Sequence, residues 1–106
     1  MRFPVTQELS FRVLDKREGG RTGRGKTLDL SSQAVRFTSD EPPALDSSVE
    51  LSIDWPVLLE GRCLMKLVVL GTVTRLEHQV AVVSVRATQF RTRRRLADAP
   101  LMAHAG

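Results

Sequence analysis

Apolar and polar residues alternate along much of this chain, and that spacing constrains the fold more than any other feature. Successive side chains of a strand point to opposite faces, so alternation is typical of a strand with one buried face. The pattern predicts six strands separated by turn-forming residues: Leu9–Val13, Lys26–Asp29, Ala34–Thr38, Val49–Asp54, Cys63–Arg75 and Val80–Arg86. Because closure removes the exposed edges of a sheet, we expect an all-β, six-stranded antiparallel barrel.

Glycine and proline mark where these strands are expected to end. Four glycines between Gly19 and Gly25 predict a flexible hairpin connection between the first two strands. Trp55-Pro56 predicts the end of the fourth strand, because proline cannot donate to a strand ladder.

The length of 106 residues indicates a single domain. We expect the barrel within residues 1–96 and a flexible C-terminal tail over residues 97–106. Alanine, leucine and arginine between Arg91 and Met102 favour a short C-terminal helix, which Pro100 would interrupt.

Several absences narrow the class of protein. No apolar run approaches the roughly 20 residues that span a bilayer, and the N-terminus has no apolar signal-peptide region. The single cysteine, Cys63, lies in an apolar run and predicts a buried, inert thiol. Together these features predict a cytoplasmic protein without a membrane span.

Charge is unevenly distributed around the net value of +4. Residues 12–26 and 86–95 are basic, whereas residues 39–61 hold six acids and no base. Such blocks favour an anionic ligand or an acidic partner, and an ordinary solvated surface is the alternative.

Few residues in this sequence stand in arrangements typical of catalytic or metal sites. His78 lies in a predicted turn and His104 in the tail, and neither has metal-ligand spacing around it. No nucleophile or phosphate-loop motif is present. We therefore expect a binding domain that is not an enzyme and carries no cofactor.

One polar turn carries the more specific signal. Asp29 and Ser31 close the second predicted strand, and Val35-Arg36-Phe37 follows in the third. With the later segments Leu51–Pro56, Gly71–Arg75 and Val80–Val82, this arrangement resembles the PilZ domain family over residues 7–96. The resemblance implies a bacterial cytoplasmic barrel in cyclic di-GMP signalling.

Family members that bind cyclic di-GMP use an Arg-x-x-x-Arg segment before the first strand and an Asp/Asn-x-Ser-x-x-Gly turn. Here Asp29 and Ser31 match the turn, but Ala34 stands at the glycine position. If that position needs a left-handed backbone, alanine costs about 1–2 kcal/mol. Ahead of the first strand the sequence has one arginine, Arg2. Thr6 stands four residues later, where the motif has its second arginine. The resemblance thus implies a ligand set of Arg2, Asp29, Ser31 and Arg36.

Other arginines are candidate substitutes for the missing cation: Arg17, Arg21, Arg93 and Arg94. Arg17 and Arg21 have the spacing of the Arg-x-x-x-Arg motif. Because they follow the first strand instead of preceding it, we interpret them as part of a basic loop. The incomplete clamp implies weak or lost cyclic di-GMP binding. The resemblance then implies an adaptor, monomeric or homodimeric, that acts through a protein partner in motility, attachment or type IV pilus regulation.

Three alternatives stay open at this point. Asp29 and Ser31 can form an Asx-type turn that satisfies its own backbone. A small basic barrel can bind nucleic acid, although a chain with no tyrosine, one tryptophan and four phenylalanines offers few stacking platforms. A structural dimerisation module is the third.

Overall fold

Six antiparallel strands close into a barrel in the computed structural model, as the alternation predicts. The structure describes residues 6–16, 19–61 and 63–92, with the backbone only for residues 56–59. The strands are β1 (Glu8–Val13), β2 (Thr22–Leu30), β3 (Ala34–Thr38), β4 (Ser48–Leu59), β5 (Cys63–Glu77) and β6 (Val80–Thr92). Their order around the barrel is β1-β2-β3-β6-β5-β4. The tail over residues 97–106 lies outside the described residues.

The core is built from the inward residues of each alternating strand. In β1, Leu9, Phe11 and Val13 are buried while the residues between them are exposed. Phe37 of β3 is fully buried, and its ring centroid lies 6.1 Å from that of Phe11. Burial of this apolar face stabilises the barrel by roughly 25 cal/mol for each Å² removed from water.

Strand β2 starts earlier than predicted, at Thr22, because two of the glycines belong to the strand itself. A Cβ at Gly23 would collide with the ring of Phe11, and one at Gly25 would collide with the carbonyl oxygen of Thr38. These glycines therefore permit close packing of β2 against its neighbours β1 and β3 rather than a turn. Gly20, with φ of +88°, does lie in the turn.

The prediction that Trp55-Pro56 ends the fourth strand is wrong, since β4 continues to Leu59. Strand β1 pairs with β4 only over Val49–Ile53, and the register against β5 shifts between Trp55 and Leu59. Proline is tolerated at an edge or bulge, because no neighbour there needs its N–H.

Strand β6 also exceeds its predicted end at Arg86 and continues to Thr92. The predicted helical start at Arg91 is therefore wrong, while residues 93–102 of that segment lie outside the described residues. Pairing with β5 decides this outcome, because Phe90 lies opposite Leu67 and Arg91 opposite Lys66. Cys63, expected to be buried, is half-buried at the start of β5.

Candidate ligand-binding turn

A β-bulge near the end of β2 determines where Asp29 points. Thr27 pairs with Phe37, but Asp29 pairs with Arg36, so Leu28 is the extra residue of the bulge. Thr27 is fully buried, and uninterrupted alternation would have turned Asp29 toward the core as well. The bulge shifts the alternation by one residue, which aims Asp29 outward and buries Leu30.

Asp29 is held by Arg36 from the neighbouring strand. The Arg36 Nε and Nη2 atoms donate to Asp29 Oδ2 over 3.0 and 2.7 Å. The Asp29 side chain is only 13% exposed, whereas that of Arg36 is 45% exposed. The guanidinium is therefore the more accessible partner of this ion pair.

Ser31 organises the turn that joins β2 to β3. Its Oγ accepts hydrogen bonds from the N–H groups of Gln33 and Ala34, each over 3.2 Å, and the Ser31 N–H donates to the Ala34 carbonyl. The Ser31 hydroxyl also donates to the Ala34 carbonyl oxygen, with a longer distance of 3.5 Å between the two oxygen atoms. Ser31 therefore does hydrogen-bond to the backbone of its own turn, which is one of the alternatives for this pair. The Asp29 carboxylate instead accepts hydrogen bonds from Arg36 of the neighbouring strand.

Ala34 does not occupy a left-handed conformation. The non-glycine residues with positive φ in the described part of the chain are Asp46, Glu60 and His78. Ala34 is instead the first residue of β3, paired with Ser84 of β6. The strain considered for alanine at this position does not arise.

Gln7, just ahead of β1, lies beside the end of β2. Gln7 and Thr27 exchange two hydrogen bonds: the Gln7 N–H donates to the Thr27 hydroxyl over 2.8 Å, and the Thr27 N–H donates to the Gln7 carbonyl over 2.9 Å. Thr6 is exposed and adjoins Gln7 in the sequence. The partner of Gln7, Thr27, is two residues before Asp29 in β2. Arg2 lies outside the described residues.

Arg21 lies at the opposite end of β2 from Asp29. The two residues are eight positions apart in the sequence, about 25 Å along an extended chain. Its Nη2 donates to the carbonyls of Glu41 and Pro42, and the guanidinium lies 5.5 Å from the centroid of the Phe11 ring. The structure thus brings Arg36, but not Arg21, to the candidate turn, while Arg17, Arg93 and Arg94 lie outside the described residues.

Carboxylates accompany four of the barrel's surface cations, which reduces the positive potential expected of a nucleic-acid surface. The ion pairs join Arg12 to Glu50, Lys26 to Glu8, Arg36 to Asp29 and Arg75 to Glu77, with N–O distances between 2.7 and 3.9 Å.

Sequence reasoning missed a second cationic position on the long strands. Lys66 of β5 and Arg91 of β6 are direct cross-strand neighbours. The Nε and Nη2 atoms of Arg91 both donate to the side-chain oxygen Oε1 of Gln89 over 3.2 Å. The signal was present, because Thr88, Phe90 and Thr92 continue a period of two in residues that favour strands.

No group of three or more His, Cys, Asp or Glu side chains suited to a metal ion occurs in the part of the chain that the structure describes. That part likewise has no helix of the length and apolarity needed to cross a membrane. Comparisons with protein-family models, curated proteins and solved structures find no significant match.

Proposed function

We propose that this chain is a non-catalytic, PilZ-like domain of bacterial cyclic di-GMP signalling, with weak or lost nucleotide binding and an adaptor role toward a protein partner. Three features support the proposal: the closed six-stranded barrel, the Asp-x-Ser turn at the end of β2, and the contact of Gln7, just ahead of β1, with Thr27 near that turn. A cytoplasmic location and roles in motility, attachment or pilus regulation belong to the same proposal.

The Asp29–Arg36 ion pair is the observation that carries the weak-binding part. A guanine edge that hydrogen-bonds to the Asp29 carboxylate meets a group whose Oδ2 already accepts two charge-assisted hydrogen bonds from Arg36. Because the Arg36 side chain is 45% exposed, solvent screens this pair, and a surface ion pair contributes about 0.2–1 kcal/mol. The sequence ahead of β1 contains one arginine, Arg2, where the family pattern has two. Competition and a missing phosphate contact both lower affinity.

Cyclic di-GMP is expected to bind more weakly than about 100 μM, because the net gain from replacing existing ion pairs is small. Calorimetric titration gives the dissociation constant, and amide chemical shifts of residues 29–36 report whether the turn is the contact. Cyclic di-AMP is the matched ligand control, since it has the same phosphates but a different base edge. Saturation at low micromolar concentration, specific for guanine, would overturn the weak-binding proposal.

Thr6→Arg is expected to raise affinity for cyclic di-GMP by about tenfold to a hundredfold, because it supplies one charge-assisted phosphate contact beside the turn. Ala34→Gly alone is expected to give no gain, since Ala34 has no backbone strain to relieve. Thr22→Arg is the control, because it adds the same charge to an exposed site near the other end of β2. Equal gains from Thr6→Arg and Thr22→Arg would refute a specific site at the turn.

A further inference from the structure

The last part of β6 has one open edge. Strand β5 pairs with β6 from Val80 to Thr92, with register shifts at Leu70/Gly71 and Val73/Arg75. On the other side, β3 pairs with β6 only over Val80–Ser84, and one further hydrogen bond joins the Val85 N–H to the Gln33 carbonyl. Among the described residues, no strand pairs with that side of residues 86–92. Successive residues of a strand direct their backbone groups to opposite sides, so alternate N–H and C=O groups face this edge.

The open edge of β4 is a poorer template for an added strand. Beyond Ile53, β4 has no β1 partner, but its edge includes Pro56, which lacks an N–H, and its register against β5 is irregular. Residues 86–92 contain no proline, and all seven are exposed. Arg86 is the extra residue of a bulge, but residues 87–92 beyond it pair with β5 without a register shift. The β6 edge is therefore the better site for strand addition.

The two faces beside this edge differ in chemistry. On one face, Ile53, Leu67 and Phe90 form an apolar row across β4, β5 and β6. Phe90 is 52% exposed, and its ring packs edge-to-face with Trp55 at a centroid distance of 5.1 Å. An apolar side chain on an added strand would extend this row and cover Phe90.

On the other face, the adjacent row ends in two cations. Asp54, Lys66 and Arg91 lie side by side across β4, β5 and β6, so two basic side chains are neighbours at the open edge. Like charges directly opposite each other are destabilising, and an acidic residue on the far side of Arg91 would offset that repulsion. The positions opposite Arg91 and Phe90 thus favour an acidic and an apolar residue in succession.

We propose that the β6 edge, residues 86–92, receives an extended segment of a partner protein in which acidic and apolar residues alternate. The inference deepens the proposed adaptor role and rests on it. Charge selects this occupant over a second copy of the chain. Residues 86–92 carry two arginines, Arg86 and Arg91, and no acid, so pairing two such edges would bring like charges together.

A synthetic peptide of alternating glutamate and valine, with blocked ends, is the probe for the full chain. It is expected to bind more tightly than an alternating lysine and valine peptide. Arg91→Glu is expected to lower the affinity for the glutamate peptide by about threefold to tenfold and to raise the affinity for the lysine peptide. The expected size follows from the energies of cross-strand charge pairs. Arg75→Glu, the same charge change at an exposed position away from the edge, is the control and is expected to leave both affinities unchanged.

Amide hydrogen exchange identifies the surface without any substitution. In the free chain, alternate amides of residues 86–92 are expected to exchange fast, and the glutamate peptide is expected to protect those amides. Equal protection, in the free chain, of the amides that face the open edge and those that face β5 would show that the edge is already covered, and it would overturn the proposal. Peptide binding that leaves residues 86–92 unprotected, or that Arg91→Glu does not change, would keep an adaptor role but exclude this edge. Absence of peptide binding at millimolar concentration would also overturn it, while the cyclic di-GMP titration tests the nucleotide part separately.

Discussion

Phe37→Ala is expected to lower the free energy of unfolding by about 3–5 kcal/mol. The Phe37 side chain is fully buried and lies 6.1 Å from the ring of Phe11, between centroids. Its strand pairs on both sides, with Thr27 of β2 and with Ala81 of β6. Because the barrel is closed around this position, the neighbouring strands cannot collapse into the cavity without breaking their ladders, and most of the cost persists.

Urea unfolding followed by the fluorescence of the single tryptophan, Trp55, measures this loss. Phe90→Ala is the matched control, since it deletes the same ring at a position that is 52% exposed. That variant is expected to lose about 1 kcal/mol, mainly from its contact with Trp55. Equal losses from the two substitutions would contradict the burial of Phe37 in the barrel core.

The same substitution connects the core to the candidate site. Arg36 is the residue before Phe37 in β3 and points outward to Asp29. A looser β3 would weaken the geometry of the ion pair, because the backbone of Phe37 sets the position of its neighbour. Typical domains have only about 5–15 kcal/mol of net stability, so this loss is a large fraction of the total.

Gly25→Ala is expected to lower the free energy of unfolding by about 3 kcal/mol, although it adds a single methyl group. A Cβ at Gly25 would overlap the carbonyl oxygen of Thr38 and also meet the ring of Phe37. The obstacle is backbone, which cannot rotate away as a flexible side chain does. Strands β2 and β3 must separate locally to admit the methyl group.

Gly20→Ala is the control for this prediction, again measured by urea unfolding. Gly20 has open space around its Cβ position, but its φ of +88° strains any L residue. The expected loss is about 1–2 kcal/mol from the backbone alone. A Gly25→Ala variant no less stable than Gly20→Ala would show that β2 and β3 do not approach as closely as described.

Much of the fold follows from local patterns, and the candidate site follows only in part. The alternation in Val49–Asp54 depends on the burial of one strand face, and that burial is what the structure contains. The positions of Asp29 and Ser31 at the β2–β3 turn were also predictable, since polar turn residues follow an apolar run. The Asp29–Arg36 pair was not, because it requires the Leu28 bulge, which no residue type signals.

By its order of residues alone, this chain specifies six alternating segments, the turns between most of them, and the location of the polar turn, because those properties depend on near neighbours. Tertiary structure alone decides that Gly23 and Gly25 serve packing, that Asp29 faces outward, and that the edge of β6 beyond Val85 stays open among the described residues. Each of these outcomes is set by contacts between strands distant in sequence, whose register is determined only when the barrel closes.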